Sequence, residues 1–539
     1  MREIPFFLDN FAHDMTFELI YMAAVIVLML WALMTDKLRP GLILFSAVVL
    51  LLCAGILQPK EALEGFCSKG MITVALLYLV SEGVRKSGVL ERIIYHMLPS
   101  KNVSLTRALA GFLPLISFIS AFLNNTPVVV IFGPMIKNWA QKMKLPPSKF
   151  LIPLSYATIL GGVCTLIGTS TNLVLDGLID DAIEADIVKN GHTLGMFELS
   201  KVGVFIALTG LFYLIMISRY LLPDRRETPL DEEENKSEGV VVVEAMPSNR
   251  FPGLGKSLRE FDFYRHYGAT VKGIKRGGSP LTGDWINEPL TKQDTLILET
   301  DKTFMPTWGE SSVFWMLNVV GAEPELSKKK KYFALVLVAL MVTGATVGEL
   351  PFVHELGLKV KLDMFFFAAI TTVLMAWTKM FSPRKYTKLI SWDVLITIAC
   401  AFGISKGMIN SGLADFLGDY IIVLAEQARH SENGIYIMLA ALFIITNIFT
   451  EVITNNAAAA LAFPLAVSIS NKLGMDPMPF FVCICFAASA AFSTPIGYQT
   501  NLIVQGVGGY KFKDFVKVGL PLNIIVFLMS VFLIPLFYL

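Results

Sequence analysis

Asparagine, serine and threonine gather at four places in an otherwise apolar chain, and the four places form two matched pairs. Leu-Asn-Asn-Thr-Pro surrounds Asn125, and Gly-Thr-Ser-Thr-Asn-Leu-Val brings Asn172 47 residues later. Ile-Thr-Asn-Asn-Ala surrounds Asn455, and Tyr-Gln-Thr-Asn-Leu-Ile brings Asn501 46 residues later. Pro134 and Pro464 each stand nine residues after the first asparagine of their pair. Such side chains are neutral hydrogen-bonding groups, able to hold a desolvated ion without burying an unpaired charge. Backbone that unwinds beside them adds carbonyl oxygens for cations, while helix N-termini attract anions. Isolated polar residues in membrane helices often only tie helices together. Two clusters at equal spacing point instead to a site shared by two repeats, with chemistry suited to cation-coupled uptake of an anion.

The elements that must position these residues are membrane helices. The chain has 539 residues, 54% hydrophobic and 17% charged, with a mean hydropathy of +0.61. A soluble domain is about a quarter charged, so the composition indicates an all-α polytopic membrane protein. A net charge of +1 argues against a nucleic-acid partner. Six scattered cysteines show neither zinc spacing nor a disulfide framework and read as small hydrophobes. The start, with Asp9, Asp14 and Glu18, lacks the basic region of a cleavable signal peptide.

Apolar segments pair one to one between the halves: 17–35, 39–57, 71–88, 104–123, 126–142, 148–167, 170–182 and 198–222 against 332–350, 361–380, 391–409, 433–453, 455–472, 478–493, 494–508 and 514–538. A span of ~30 Å needs about 20 residues, and several segments are too short. The pairs flanking Asn125 and Asn455 suit re-entrant hairpins, and those flanking Gly168 and Ser493 suit one helix broken midway. Each half then crosses five times, so the second repeat, 332–539, is inverted relative to the first, 1–222. Basic clusters fall on alternate loops (Arg85 to Arg107, Lys137 to Lys149, Lys328 to Lys331, Lys511 to Lys517). That alternation puts both termini outside the inner membrane and the 223–331 insert in the cytoplasm.

The insert changes solvent. An acidic linker, Asp231 to Glu234, leads to a small α/β pattern. Strands are expected at Val240 to Glu244, Ala269 to Lys275 and Thr295 to Thr300, and a short helix at Ser257 to His266. Gly255-Lys256-Ser257 is no phosphate loop, because the glycine required five residues earlier is Arg250.

The four clusters resemble those of the divalent anion–sodium symporters of the ion-transporter superfamily, which carry a Ser-Asn-Thr triplet at each hairpin tip and a Thr-Pro-Pro-Asn-like break in the next helix. Here the triplets are Asn124-Asn125-Thr126 and Thr454-Asn455-Asn456. The breaks are Thr169-Ser170-Thr171-Asn172 and Thr494-Pro495, extended to Asn501. The resemblance implies one sodium held by Ser120, Asn125 and the Gly168 carbonyl, and a second held by Thr450, Asn455 and the Ser493 carbonyl. It places the anion between the tips, against Asn124, Asn125, Thr126, Thr454, Asn455 and Asn456, with Thr169 and Thr494 nearby. It implies alternating access, a homodimer, and no cofactor beyond the coupling ions. The insert resembles the C-terminal regulatory domain of Trk-type potassium proteins, which implies a small, nucleotide-like ligand. Related sulfate carriers hold such domains, which favours sulfate. Asn124 and Asn456 replace the family's Ser and Thr and the first break lacks its double proline, so dicarboxylate specificity does not carry over.

Other readings remain open. Glu451, beside Thr450, is the carboxylate that a sodium–proton or arsenite-type exchanger of the same fold would use. A dicarboxylate carrier is a further alternative, and a membrane sensor with the insert as output is a third. Glu82, near Arg85, and Lys406 read as interfacial. The histidines fall in loops, segment ends or the insert. No Ser-His pair, Asp dyad or metal cluster lies at membrane depth, so an enzyme is not expected.

Overall fold

The computed structural model describes residues 16–35, 37–90, 104–188, 191–224, 241–277, 283–301, 304–309, 311–319, 328–348, 360–381, 386–426 and 434–539, with isolated positions between them. The acidic linker, Val240, Asp9, Asp14, Arg92 and Lys101 lie outside the described residues.

Helices dominate, and their order repeats. Phe17–Met34, Pro40–Cys53 and Lys69–Ser87 are followed by the hairpin Leu105–Ser120 and Asn125–Lys142, the broken pair Leu151–Gly162 and Ser170–Glu184, and Ser200–Leu221. The second half gives Lys328–Gly348, Met364–Trp377, Trp392–Asn410, the hairpin Gly434–Val452 and Asn455–Leu473, the broken pair Met478–Ser489 and Gln499–Gly508, and Phe512–Tyr538. Among the described residues six helices are long and apolar enough to cross a membrane. Every paired segment expected from the sequence thus has its helix. Among the described residues, two helices longer than one or two turns were not expected. Pro59–Cys67 runs almost directly into Lys69–Ser87, with Ser68 capping the second through Met71 N–H. Leu413–Glu426 carries Asp415 and Asp419 along one side, so it shows no continuous apolar run. Its acidic side meets the hairpin arm 455–473: Ser468 Oγ donates to Asp415 at 2.5 Å, and Lys472 pairs with Asp419 at 2.7 Å.

Local chemistry sets the ends. Gly88 and Gly474 close their helices in the left-handed conformation (φ +64° and +62°), where a Cβ would be strained. Glycine also sets how closely the helices pack. A Cβ on Gly161 would sit 1.9 Å from the Ser117 carbonyl oxygen, and one on Gly519 would sit 1.9 Å from that of Phe492. The first contact presses the broken helix against its hairpin, as small residues do where lipid supplies no hydrophobic drive. Lysine 69 joins three elements, pairing with Asp180 at 3.1 Å and with Asp363, the cap of Met364–Trp377, at 2.7 Å.

Helices 40–53, 59–87, 328–348, 364–377 and 392–410 pack on one another, and the hairpins, broken helices and the last helix of each half form a second body that meets the first where 392–410 packs on 455–473 and 69–87 on 170–184. That second body holds the most deeply enclosed helices: every residue of Leu151–Gly162 and Met478–Ser489 is buried, as is every residue from Asn455 to Ser470. Many exposed side chains on both sets of helices are large and apolar, among them Phe212, Trp377 and Phe532, as a lipid-facing surface requires.

Between the halves sits a five-stranded antiparallel sheet: β1 (Val241–Pro247), β2 (Thr270–Arg276), β3 (Ser279–Pro280), β4 (Asp294–Thr300) and β5 (Phe314–Val319), in the order β3-β2-β4-β1-β5. β3 and β5 were not anticipated. The expected helix over Ser257 to His266 shrinks to Phe263–Tyr267, capped by Asp262. Ser257 and Glu260 do exchange capping bonds. The chain turns after them because Phe251, Phe261, Phe263, Tyr267 and Phe314 must converge on a core of their own. Gly255 is the turn residue (φ +77°), and its N–H donates to the Leu290 carbonyl.

The sheet touches both membrane bodies. Arg39 donates to the Asn249 carbonyl at 3.1 Å, and Met246 and Met316 join the membrane core rather than the sheet's own. Glu244 pairs with Lys275 at 3.1 Å and faces Lys137 of the hairpin arm. Burial opposes its charge, yet Lys137 and Lys275 together hold its carboxyl below the usual range. A depressed carboxylate stabilises the fold above its unfolded value and loses that contribution as the pH falls through its folded value. Glu244→Gln is therefore expected to lower the melting temperature at pH 7 and to match the wild type once the pH has fallen below Glu244's folded value. Melting curves across pH 3–8 check this, and curves equally far apart throughout would contradict it.

Candidate functional site

Two breaks in the backbone are built alike. Asn172 Nδ2 donates to the Thr165 carbonyl at 2.9 Å and reaches that of Gly162 at 3.5 Å. Asn501 Nδ2 donates to the Thr494 carbonyl at 3.1 Å and to that of Ala491 at 2.8 Å. These are the same bonds displaced by 329 positions. Carbonyls released by unwinding at membrane depth need partners inside the protein, and one carboxamide per break serves two of them. Thr169 and Tyr498 then open the next helices with matching extended backbones, φ/ψ −137°/145° and −134°/135°.

The tips are equally alike. Ser120 Oγ donates to Asn125 Oδ1 at 2.7 Å, and Thr450 Oγ1 to Asn455 Oδ1 at 3.0 Å. Each pair lies against a break. A Cβ on Gly162 would come within 2.5 Å of Asn125 Oδ1, and one on Gly497 within 2.8 Å of the Thr450 carbonyl. The repeats cross at the tips. Thr126 reaches Gln499 of the second break at 3.4 Å, while Ser170 and Thr171 of the first break donate to Asn456 at 3.2 and 3.1 Å.

The structure therefore brings Asn125, Thr126, Thr169, Asn455 and Asn456 into one buried region between the tips. Asn124 and Thr454 cap the two tip helices. Asn124 also lines a cleft with Val74, Ser81, Ile167 and Ser170, and Thr454 Oγ1 is buried without a protein partner. Thr494 is placed differently from Thr169: it accepts from Gly497 N–H at 3.1 Å and donates to the Glu451 carbonyl at 3.0 Å, inside its own loop. The residue that answers to Thr169 is Tyr498, and the one that answers to Gly168 is Gly497 rather than Ser493. Ser493 instead donates its N–H to Glu451 at 2.8 Å, and its Oγ accepts from Asn523 at 2.7 Å. Thr494 answers to Thr165, whose carbonyl the first clamp holds, and counting back from Asn501 gives this register.

Two functional groups, Tyr498 and Tyr156, are not marked by the sequence, and a third, Glu451, is marked by it but gains its partners only here. Tyr498 Oη accepts from Asn125 Nδ2 at 2.5 Å and lies 2.9 Å from Thr169 Oγ1. Tyr156 donates to the Phe492 carbonyl, another of the break's freed acceptors. Glu451 Oε1 takes Ser493 N–H and Asn523 Nδ2, the latter at 2.6 Å, while Oε2 has no protein partner. Among the described residues no cluster of His, Cys, Asp or Glu has metal-site geometry. What the region offers is hydroxyl, carboxamide and carbonyl oxygen for a small hard cation, with amide and hydroxyl donors for an anion.

The sequence profile of the citrate transporter family matches residues 26–469 and 353–539. The chain belongs to this family. Like the rest of it, the protein is a multi-pass membrane transporter and not an enzyme. It is 27% identical to the uncharacterized transporter sll0640 of Synechocystis, over 96% of each chain. It is 22% identical to the sodium/sulfate cotransporter 1 of Chlamydomonas reinhardtii, over 89% of this chain and 85% of that one. The sodium-dependent dicarboxylate transporter SdcS of Staphylococcus saprophyticus is 21% identical over 90% of this chain and 81% of its own.

The clamp asparagines make a stability prediction. Asn501→Ala strands the Ala491 and Thr494 carbonyls, each costing about 1–3 kcal/mol when buried without a partner. The purified variant should melt several degrees below the wild type and transport more slowly. An unchanged melting temperature would show that the clamp does not hold the break.

Proposed function

We propose that the protein is a secondary active transporter that couples sodium to the uptake of a small divalent anion, with sulfate as the leading substrate. The observation that carries this reading is the mirrored pair of buried tips, Ser120–Asn125 and Thr450–Asn455, each pressed against an unwound break. In this reading the first sodium takes Asn125, Ser120 and carbonyls near Gly168. The second takes Asn455, Thr450 and carbonyls near Gly497, with Ser493 and Thr494 shaping the loop. Two bound cations offset the repulsion of a dianion in a low-dielectric site, so sodium binding completes the anion site. The relatives' names, sodium/sulfate and sodium-dependent dicarboxylate, support sodium and a small dianion.

The body of hairpins and broken helices then moves against the body of outer helices, in a homodimer. The sheet docks beside Arg39 and Lys137, at an end rich in basic residues, which supports a cytoplasmic insert. Its role is to bias the transport states through a small, nucleotide-like ligand, as in Trk-type domains, if that ligand binds one state better.

Glu451 favours a second reading, a sodium–proton or arsenite-type exchanger, because one carboxylate oxygen beside the second tip lacks a protein partner. Labelled sulfate uptake into proteoliposomes decides between them. Uptake should require an inward sodium gradient, and Asn455→Ala should raise the sodium concentration needed at least several-fold. Glu451→Gln should retain sulfate uptake. Uptake indifferent to sodium would sink the symport reading, and sodium–proton exchange abolished by Glu451→Gln would establish the alternative.

A further inference from the structure

The pseudo-two-fold relation between the repeats is broken at one position in the centre of the site. Thr169 and Tyr498 occupy the same place in the two breaks, as the carboxamide clamps and the matching cap backbones show. They face each other across the axis, with Tyr498 Oη 2.9 Å from Thr169 Oγ1. Two threonines here would leave a gap between their hydroxyls. The phenol ring fills that gap and carries its oxygen to the opposite tip, where Asn125 Nδ2 meets it at 2.5 Å. The side chain is enclosed, with 8% of the residue exposed. Around it the crossed tip contacts, Thr126 to Gln499 and Asn456 to Ser170 and Thr171, bound the space on both sides.

We propose that Tyr498 sets substrate size at this site. Its ring closes the part of the tip-to-tip space that an elongated dianion would use, and its hydroxyl supplies a donor to a compact one. A tetrahedral oxyanion such as sulfate carries both charges within a few ångströms, so one short-range ring of neutral donors serves all its oxygens. A four-carbon dicarboxylate carries its charges at two separated ends and needs the volume between the tips that the ring occupies. The phenol has a single proton to donate, which is available to an anion oxygen because Thr169 Oγ1 can itself donate to the phenol oxygen that Asn125 Nδ2 holds in place. The inference rests on the reading of the tip region as the anion site, and it names the class of anion.

The test compares wild type, Tyr498→Thr and Tyr498→Phe in proteoliposomes under a sodium gradient, measuring uptake of labelled sulfate and of labelled succinate. Tyr498→Thr, which restores the symmetric pair, should raise the succinate-to-sulfate uptake ratio at least about ten-fold, the scale on which pocket volume discriminates. Tyr498→Phe keeps the ring and should still exclude succinate, while its KM for sulfate rises several-fold. If Tyr498→Thr does not survive purification, Tyr498→Phe decides alone: admission of succinate or an unchanged sulfate KM overturns the inference. With a stable Thr variant, an unchanged ratio overturns it while wild-type sulfate uptake leaves the anion-site reading standing. A wild type that moves succinate and not sulfate overturns the inference and leaves a dianion site at the tips, whereas a wild type that moves neither under a sodium gradient overturns the anion-site reading itself.

Discussion

Backbone polar groups cannot be left bare where lipid replaces water, and this constraint organises the molecule. A helix satisfies it by winding, yet each repeat stops winding twice, at a hairpin tip and at a break. The freed carbonyls must then be met from inside the protein. Asn172 and Asn501 meet two each, Tyr156 meets that of Phe492, and Asn447 donates to Ala490 at 2.7 Å. Glycines such as Gly161 and Gly519 let neighbouring helices come close enough to shield what remains. The polar residues at depth thus divide into those that repair the backbone and those that face the space between the tips. The second group exists only because the first allows unwound chain to persist there.

Much of this architecture was legible in the sequence, because its signals are local. Apolar length gave every paired helix, and the repeated asparagines gave the hairpins and breaks. The strands β1, β2 and β4 show their alternation, whereas β3 and β5 do not, and the helix near Ser257 is shorter than its pattern suggests. The departures at β5 and at this helix share a cause: Phe251, Phe261 and Phe314 are distant in sequence and assemble only in the folded core. The amphipathic Leu413–Glu426 was invisible for a related reason, since its acidic face is compensated by Ser468 and Lys472 of another element.

The site was partly legible. The first break needs no correction of register, because Thr169 and Asn172 stand in a compact motif three residues apart. In the second break Thr494 looked like the counterpart of Thr169 because it is a threonine before a proline. Geometry gives that place to Tyr498, a residue whose type suggests packing rather than recognition. Residue type points to chemistry only when the position is already known, and here position was fixed by a side-chain bond to a carbonyl, which no composition reveals.

The sheet between the halves has a mechanical consequence. It is attached at two points that belong to different bodies: Arg39, beside the outer helix 40–53, holds Asn249, and Lys137, in the hairpin arm, faces Glu244. Met246 is also pressed so close to Gly506 that a single added carbon there would lie 2.6 Å from its methyl group. A sheet pinned across a joint cannot remain indifferent to sliding at that joint. If the hairpin body slides along the outer helices, as the proposed transport cycle requires, one attachment must let go or the sheet must shear. On the proposed mechanism the sheet would then act as a strain gauge for the stroke, because it is held by both sets of helices.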